Sequence, residues 1–219
     1  MIRFNKKKKH GFVIFSNFIR KICKGDRLNR ISIEITNILR AIHLNNKKKI
    51  RILDFGCGSM ELSRRIQSNN FIKEIIGIDT FSHKFAKKKL RYMDFEKFEK
   101  YKNKKFEAII IVDVLHHIGI DDAFKTLKKL SKYSKKIIIK DHFEHGFFSR
   151  QLLRFIDFYG NYGHGVTIPK KYFDNTSWKK TVKKTNLKQT KLIKNFQQHD
   201  GIFNVILNKR HHFISVLKK

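Results

Sequence analysis

The apolar run Ala108-Ile109-Ile110-Ile111-Val112 constrains the fold more than any other part of the 219-residue sequence. An uninterrupted, mostly β-branched run of this length is typical of a strand that is covered on both faces, as strands in parallel sheets are. Strand-like and helical stretches alternate along the chain, which predicts right-handed crossovers and a doubly wound, Rossmann-like α/β domain. The other strand-like runs are Ile50–Phe55, Glu74–Asp79, Leu90–Asp94 and Lys136–Lys140.

The helical period appears most clearly in residues 28–44, where apolar residues recur every three or four positions. Two further strands are indicated at Leu187–Lys194 and His211–Leu217, near the end of the chain. Neither an internal repeat nor a Gly/Ser/Pro linker divides the sequence. We therefore expect a basic helical cap at 1–45 and one domain at 46–219, with further helices at about 60–69, 82–89 and 120–132.

The composition excludes some classes of protein and leaves others open. A hydrophobic content of 41% excludes a disordered chain. Fifty basic and 18 acidic residues give a net charge of +32, which should attract nucleic acid or an anionic membrane face. A lysine-rich genome would explain the same bias. Two cysteines are too few for a disulfide framework, so we expect a cytoplasmic protein, with peripheral contact at the inner membrane face as an extension.

Carboxylates and glycines follow the predicted strands, where an α/β sheet of this type binds its ligand. Gly56 and Gly58 allow a tight turn and a close approach of the ligand to the backbone. Asp54 and Glu61 flank that turn and would repel a pyrophosphate, which favours a cationic ligand without phosphate, such as S-adenosylmethionine. Asp79 ends the second strand, where a carboxylate can accept hydrogen bonds from a ribose diol. At the end of the third strand, Asp94 could accept from an adenine amino group and Phe95 could pack on the ring.

These residues carry a resemblance to a known family. Residues 50–142 resemble the cofactor half of class I S-adenosylmethionine-dependent methyltransferases, with Ile52-Leu53-Asp54-Phe55-Gly56-Cys57-Gly58 similar to their first motif and Gly77-Ile78-Asp79 to their second. The family often has a further glycine where Met60 stands. The resemblance implies a seven-stranded sheet in the order 3-2-1-4-5-7-6, with strand 7 antiparallel. It also implies that the cofactor is bound by Asp54, Gly56, Cys57, Gly58, Asp79, Thr80, Asp94, Phe95 and Asp113.

Residues 142–174 form an insertion after the fifth strand, which in this architecture lies above the transferred methyl group and can act as a lid. The insertion resembles the corresponding segment of some bacterial small-molecule methyltransferases. A general base is needed only if the acceptor is protonated; His142 is the first choice, and His117 and His164 are alternatives. The pattern His142-x-Glu144-His145 has no further ligand at metal-site spacing, so no metal is predicted.

Two classes of function remain at this point. The first is methyl transfer to an oxygen or nitrogen atom of a small or lipid-linked metabolite. Basic residues flank an aromatic apolar segment within residues 1–24, which fits a helix on anionic lipid, although the same apolar residues could cap the active site or the core. The second class is an RNA methyltransferase or a non-catalytic nucleic-acid-binding protein. Against it, the sequence has no recognised RNA-binding module. It also has Asp113-Val114-Leu115-His116 where many base-methylating relatives have Asn/Asp-Pro-Pro-aromatic.

Overall fold

The structure is a computed structural model. It describes residues 10–80, 86–87, 89–101, 105–161, 166–199, 204–205 and 208–219, with the backbone alone for 10–26 and 86–87. An eight-stranded sheet runs through the molecule in the order β3-β4-β2-β1-β5-β6-β8-β7. The strands are β1 (Ile50–Phe55), β2 (Ile72–Ile78), β3 (Ala86–Lys87), β4 (Leu90–Met93), β5 (Ala108–Val112), β6 (Lys136–His142), β7 (Lys188–Lys194) and β8 (His212–Lys218).

Seven of these strands have the arrangement that the resemblance implied. The strands β4, β2, β1, β5 and β6 pair in parallel, and β8 lies antiparallel between β6 and β7. In chain order of the seven long strands this is 3-2-1-4-5-7-6, so the predicted topology is confirmed. The core run of β5 is buried between β1 and β6, with Ile109 opposite Leu53 on one side and Ile137 on the other.

The eighth strand corrects one prediction. Residues 82–89 were expected to be helical, but Ala86 and Lys87 form β3, which pairs antiparallel with Arg91 and Leu90 of β4. A close antiparallel return into β4 leaves no room for a helix at these positions. Residues 81–85 and residue 88 lie outside the described residues.

Seven helices surround the sheet in the described part of the chain. Of the helices outside the predicted ranges, α3 and α7 each begin at an aspartate N-cap: Asp94 accepts from the backbone N–H of Lys97, and Asp174 accepts from that of Ser177. The helices are α1 (His10–Asn46), α2 (Glu61–Ile66), α3 (Phe95–Lys100), α4 (Leu115–Ile118), α5 (Ile120–Leu130), α6 (Phe147–Asn161) and α7 (Asn175–Thr185).

The helix α1 is part of the core. The apolar stripe predicted for residues 28–44 is buried, and Ile31, Ile35 and Leu39 have no exposed surface. Together with α2, these residues cover one face of the sheet, while α5 and α7 cover the other. The predicted helical cap therefore shares its hydrophobic core with the domain that follows. Within the described residues, no helix is both long enough and apolar enough to cross a membrane.

The two edges of the sheet differ from its centre. At one edge, β7 carries exposed Lys188, Lys191 and Lys194, and its pairing with β8 is irregular between Gln189 and Lys191. At the other edge, β3 is only two residues long.

Candidate functional site

The glycine loop after β1 contains two glycines that are required for different reasons. Gly56 has φ +72°, and a Cβ atom there would lie 2.4 Å from Cγ2 of Val114, so the residue permits close packing against the start of α4. Gly58 has φ +49°, and no atom of the described residues lies within 4 Å of a Cβ built on it. The backbone at Gly58 therefore faces open space in which a ligand can lie.

Asp79 fixes this loop. Its Oδ2 accepts from the backbone N–H of Gly58 at 2.7 Å, and the Thr80 hydroxyl donates to its Oδ1 at 3.2 Å. The backbone N–H of Gly56 donates to the carbonyl of Ile78, which joins the loop to the end of β2. Since a carboxylate offers about four acceptor positions, Asp79 can hold the loop and also accept from a ligand's hydroxyls.

Met60 stands where the related family often has glycine, and the structure shows how it is accommodated. Its backbone is left-handed, with φ +58°, at the N-cap of α2, and its side chain is fully buried. A Cβ at Gly77 would lie 2.8 Å from Cε of Met60 and 2.7 Å from Sγ of Cys57. Gly77 thus provides the space in which the side chains of Met60 and Cys57 pack, and burial of the Met60 side chain offsets the strain of its backbone.

Asp54, near the end of β1, is buried, and Cys57 in the loop is partly buried. Burial, together with the negative charge of Asp79, raises the pKa of Asp54 to about 7, although the Ser63 hydroxyl donates to its Oδ2 at 2.5 Å. Burial also raises the pKa of the Cys57 thiol, so this group is neutral. Asp54 thus lies behind the loop. It can affect the loop through its charge and through its hydrogen bond with Ser63 of α2.

Asp94 and Phe95 lie at the end of β4, as predicted. Asp94 caps α3, with Oδ1 accepting from the backbone N–H of Lys97 at 2.7 Å and Oδ2 at 3.1 Å from the Lys97 ammonium group. The backbone hydrogen bond from Lys97 is the main reason why the pKa of Asp94 is lowered. Phe95 packs edge-to-face on Phe55. The adenine contact expected of Asp94 stays a prediction, beside the capping role that the structure assigns to it.

Asp113 is at the centre of an ion-pair cluster at the end of β5. Its carboxylate accepts from Lys140 Nζ at 2.5 Å and from the Arg27 guanidinium, and His142 Nε2 lies 3.2 Å away. Burial alone would raise the pKa of Asp113, but Lys140, Arg27 and His142 hold it well below its usual range. Arg27 also donates to Gln198, so α1 reaches across the strand ends. Sequence reasoning missed Arg27 and Lys140.

The three candidate bases have different outcomes. His142 is buried, and its Nδ1 lies 3.1 Å from Nδ1 of His212 while its Nε2 faces Asp113. Burial, followed by the charge of Lys140, lowers the pKa of His142. His117 is half-buried; burial and then His116 lower its pKa. His164 lies outside the described residues.

The side chains of the pattern His142-x-Glu144-His145 do not converge. Glu144 forms a two-point ion pair with Arg150, with distances of 2.8 and 2.6 Å. His145 Nε2 donates to the carbonyl of Arg210. Each of the three side chains thus has a different partner.

A second buried network joins the strand ends to the insertion. His116 Nδ1 donates to Asp141 Oδ1 at 2.6 Å, and His116 Nε2 lies 3.3 Å from Oδ2 of Asp157, which is on α6. The Tyr172 hydroxyl donates to the same Asp157 carboxylate at 2.5 Å. Burial opposes a charge on His116, but the carboxylates of Asp141 and Asp157 raise its pKa to about 10. Because Asp157 and Tyr172 belong to the insertion at 142–174, that segment packs directly on the carboxyl ends of the strands.

Apart from Asp94 and Phe95 at the end of β4 and His164, which is not among the described residues, the predicted site residues form two groups at the carboxyl ends of the strands. Asp54, the glycine loop, Asp79 and Thr80 surround the ends of β1 and β2. Asp113, His117 and His142 follow β5 and β6, beside the insertion. The residues present fit S-adenosylmethionine: open space adjoins Gly58, and a carboxylate that can accept from a ribose diol borders it.

Comparisons with known proteins agree with this geometry. The family model described as "Methyltransferase domain" matches residues 26–192. A search of curated proteins finds no significant match.

Solved structures show the same fold. A Burkholderia thailandensis 1,6-didemethyltoxoflavin-N1-methyltransferase with bound 1,6-didemethyltoxoflavin and S-adenosylhomocysteine is 12% identical, with a TM-score of 0.60 over 100% of this chain and 92% of that chain. Magnesium protoporphyrin IX methyltransferase from Synechocystis is 14% identical, with a TM-score of 0.58 over 92% and 87% of the two chains. The plantazolicin methyltransferase BpumL is 13% identical, with a TM-score of 0.60 over 97% and 91%. The match of the family model over three quarters of the chain, on a sheet of this topology, shows that the chain belongs to the class I S-adenosylmethionine-dependent methyltransferases.

Proposed function

We propose that this methyltransferase acts on an oxygen or nitrogen atom of a small or lipid-linked metabolite. The observation that carries the proposal is the position of the insertion, whose Asp157 and Tyr172 are buried against His116 at the strand ends. A lid packed this closely beside the cofactor site favours a small acceptor over a folded polynucleotide. Three structural relatives are named as methyltransferases of 1,6-didemethyltoxoflavin, magnesium protoporphyrin IX and plantazolicin, which agrees with this choice.

The cofactor would lie along the ends of β1, β2 and β4. In this proposal the loop Gly56–Gly58 supports its methionine part and Asp79, with Thr80 beside it, accepts from its ribose hydroxyls. Asp94 and Phe95 border the adenine. S-adenosylmethionine supplies an electrophilic methyl group and carries positive charge, which the buried carboxyl of Asp54 complements.

The main contribution of the chain to the reaction is positioning. Methyl transfer is an in-line displacement, so holding the acceptor atom against the methyl carbon supplies much of the rate. Both ring nitrogens of His142 already face other groups, His212 and Asp113. We therefore assign to His142 the role of orienting Asp113, and its predicted role as a general base remains for a variant to test.

The outer surface of α6 supports a lipid-linked acceptor. Phe147, Phe148 and Phe155 are exposed by 63%, 87% and 59%, an unusual concentration of aromatic surface on a chain of charge +32. Aromatic side chains combined with positive charge suit the surface of an anionic membrane. The side chains of residues 1–24, for which the same contact was predicted, lie outside the described residues.

Calorimetry with S-adenosylmethionine tests the cofactor site. Asp79→Ala removes the ribose acceptor and the partner of Gly58, so its affinity should fall about 10- to 150-fold, equivalent to ~1.5–3 kcal/mol. Asp79→Asn keeps a neutral acceptor and should lose less. Asp122→Asn, on the exposed start of α5, is the matched control and should bind like wild type. Absence of binding to well-folded wild type would contradict the assignment.

The acceptor class is tested separately with labelled cofactor. The protein is incubated with a metabolite fraction, a lipid fraction and an RNA fraction from the same cells. We expect saturable labelling in one of the first two. Saturable labelling confined to RNA at physiological salt would overturn the proposed acceptor and leave the cofactor site intact.

A further inference from the structure

Three side chains to which the proposed function assigns no chemical role meet where the lid packs on the strand ends. His116 and His117 lie on α4, directly after β5, and Asp157 reaches them from α6. One ring nitrogen of each histidine and one carboxylate oxygen lie within 4.8 Å of one another. Among the residues that the structure describes, this is the one group of three or more histidine, cysteine or acidic side chains with that property.

Hydrogen bonds fix the orientation of both imidazoles. His117 Nδ1 lies 3.0 Å from the carbonyl of Thr167, which can only accept, so Nδ1 carries the proton and Nε2 presents a lone pair. His116 Nδ1 donates in the same way to Asp141, which also accepts from the backbone N–H of Leu115. A carboxylate or carbonyl that holds one ring nitrogen so that the other can bind an ion is the usual arrangement behind metal-binding histidines.

The ligand oxygen is held as well. The Tyr172 hydroxyl donates to the Asp157 carboxylate at 2.5 Å. Nε2 of His116 is buried and lies 3.3 Å from Oδ2 of Asp157. Because the two carboxylates raise the pKa of His116, an ion that binds here displaces the proton of Nε2. Ligand bonds of about 2.1 Å place two neighbouring ligand atoms of one ion roughly 3.0–3.4 Å apart. The observed separation therefore matches an edge of a coordination polyhedron.

We propose that His116, His117 and Asp157 bind a divalent first-row transition-metal ion such as Zn²⁺. Two imidazoles and one carboxylate are ligands that zinc and its neighbours accept, whereas Mg²⁺ and Ca²⁺ prefer oxygen ligands throughout. The ion joins α6 of the lid to the end of β5. Three protein ligands leave at least one coordination position for water or, if the proposed function holds, for an acceptor oxygen.

Sequence spacing could not have predicted this site. Its ligands are two adjacent residues and a third that follows 40 residues later, in a segment with no metal-site pattern. The expectation that the chain holds no metal depended on His142-x-Glu144-His145, whose side chains turn to other partners.

Metal binding to the full-length protein tests the proposal without any methyl transfer. Wild type is dialysed against a chelator and titrated with Co²⁺, followed by its visible absorption, and with Zn²⁺, followed by elemental analysis after desalting. We expect one ion per chain, a higher melting temperature with the ion bound, and a Co²⁺ spectrum of protein nitrogen and oxygen ligation.

Variants locate the ion. His117→Ala and Asp157→Asn should each weaken binding at least tenfold, and Tyr172→Phe, which removes only the donor to Asp157, should weaken it less. His145→Ala is the matched control, because this exposed histidine bonds a backbone carbonyl outside the cluster, and its affinity should be that of wild type. Circular dichroism of each metal-free variant shows whether it is folded. Absence of stoichiometric binding to wild type, or equal binding by folded His117→Ala, would overturn the metal site, while calorimetry with S-adenosylmethionine reports on the proposed function independently.

Discussion

Burial disfavours the ionisation of the carboxyl group of Asp54, which belongs to the proposed cofactor site. It has 2% of its surface exposed, its hydrogen bond comes from Ser63, and Asp79 adds negative charge nearby. An ionised carboxylate in such a place lacks the solvation that it would have in water. A cation bound at the loop would restore favourable interactions for that charge.

Asp54 therefore links the stability of the cofactor-free protein to pH. Its pKa is about 7 in the folded chain and near 3.8 when unfolded, so between these values the folded state holds the proton more tightly and stability falls as pH rises. Asp54→Asn replaces the carboxyl group with an amide that does not titrate in this range. Relative to wild type, the variant should gain on the order of 2–3 kcal/mol of unfolding free energy between pH 5 and pH 8. Urea unfolding at the two pH values measures the difference, and a gap that does not widen with pH would contradict it.

A site residue could be predicted from the sequence where a nearby motif marks it, and not where its interaction partners are distant in the chain. The glycine loop and Asp79 could be predicted because each follows a recognisable strand. Arg27 and Lys140 could not, since they meet Asp113 from 86 and 27 residues away and nothing local marks them. Asp94 was found, but its capping of α3 was overlooked.

Among the helices and strands, α1 is the one whose sequence period was most informative. Its apolar stripe predicted both the helix and the buried face. The strands were equally clear, because β-branched runs that are buried on both faces need no partner to be recognised. The short helix α3 and the two-residue β3 were not found, since six and two residues are too few to show a period. The helix predicted at 82–89 was wrong at Ala86 and Lys87, which form β3.

The role of α1 in the core can be tested with two isoleucines of the same helix. Ile35 is fully buried, so Ile35→Ala should lower the unfolding free energy by about 2–5 kcal/mol. Ile33 is 55% exposed, and Ile33→Ala should change it by less than ~1 kcal/mol. Both substitutions change helix propensity equally, so the difference reports burial. Equal effects in urea unfolding would show that α1 does not pack on the sheet as described.

For the whole molecule, the charge of +32 should make stability depend on salt. Excess like charge destabilises a compact state through self-repulsion, and ions screen it over about 10 Å at 0.1 M. Raising NaCl from about 0.05 to 0.5 M should therefore raise the melting temperature, by about 2–4 °C for each ~1 kcal/mol recovered. Differential scanning fluorimetry across the salt series measures this. A melting temperature that stays constant or falls would mean that ion pairs such as Lys129–Glu99 outweigh the repulsion.

The two edges of the sheet have a consequence for association between copies of the chain. The isoleucine-rich run of β5 is the kind of segment that stacks into fibrils when it is exposed, but it lies in the middle of the sheet. The strands that do face outward offer a poor template: β7 presents three lysines and an irregular ladder, and β3 has only two residues with which to pair. Native molecules should therefore not pair through their sheet edges, and aggregation through strand pairing should follow unfolding, when β5 is released.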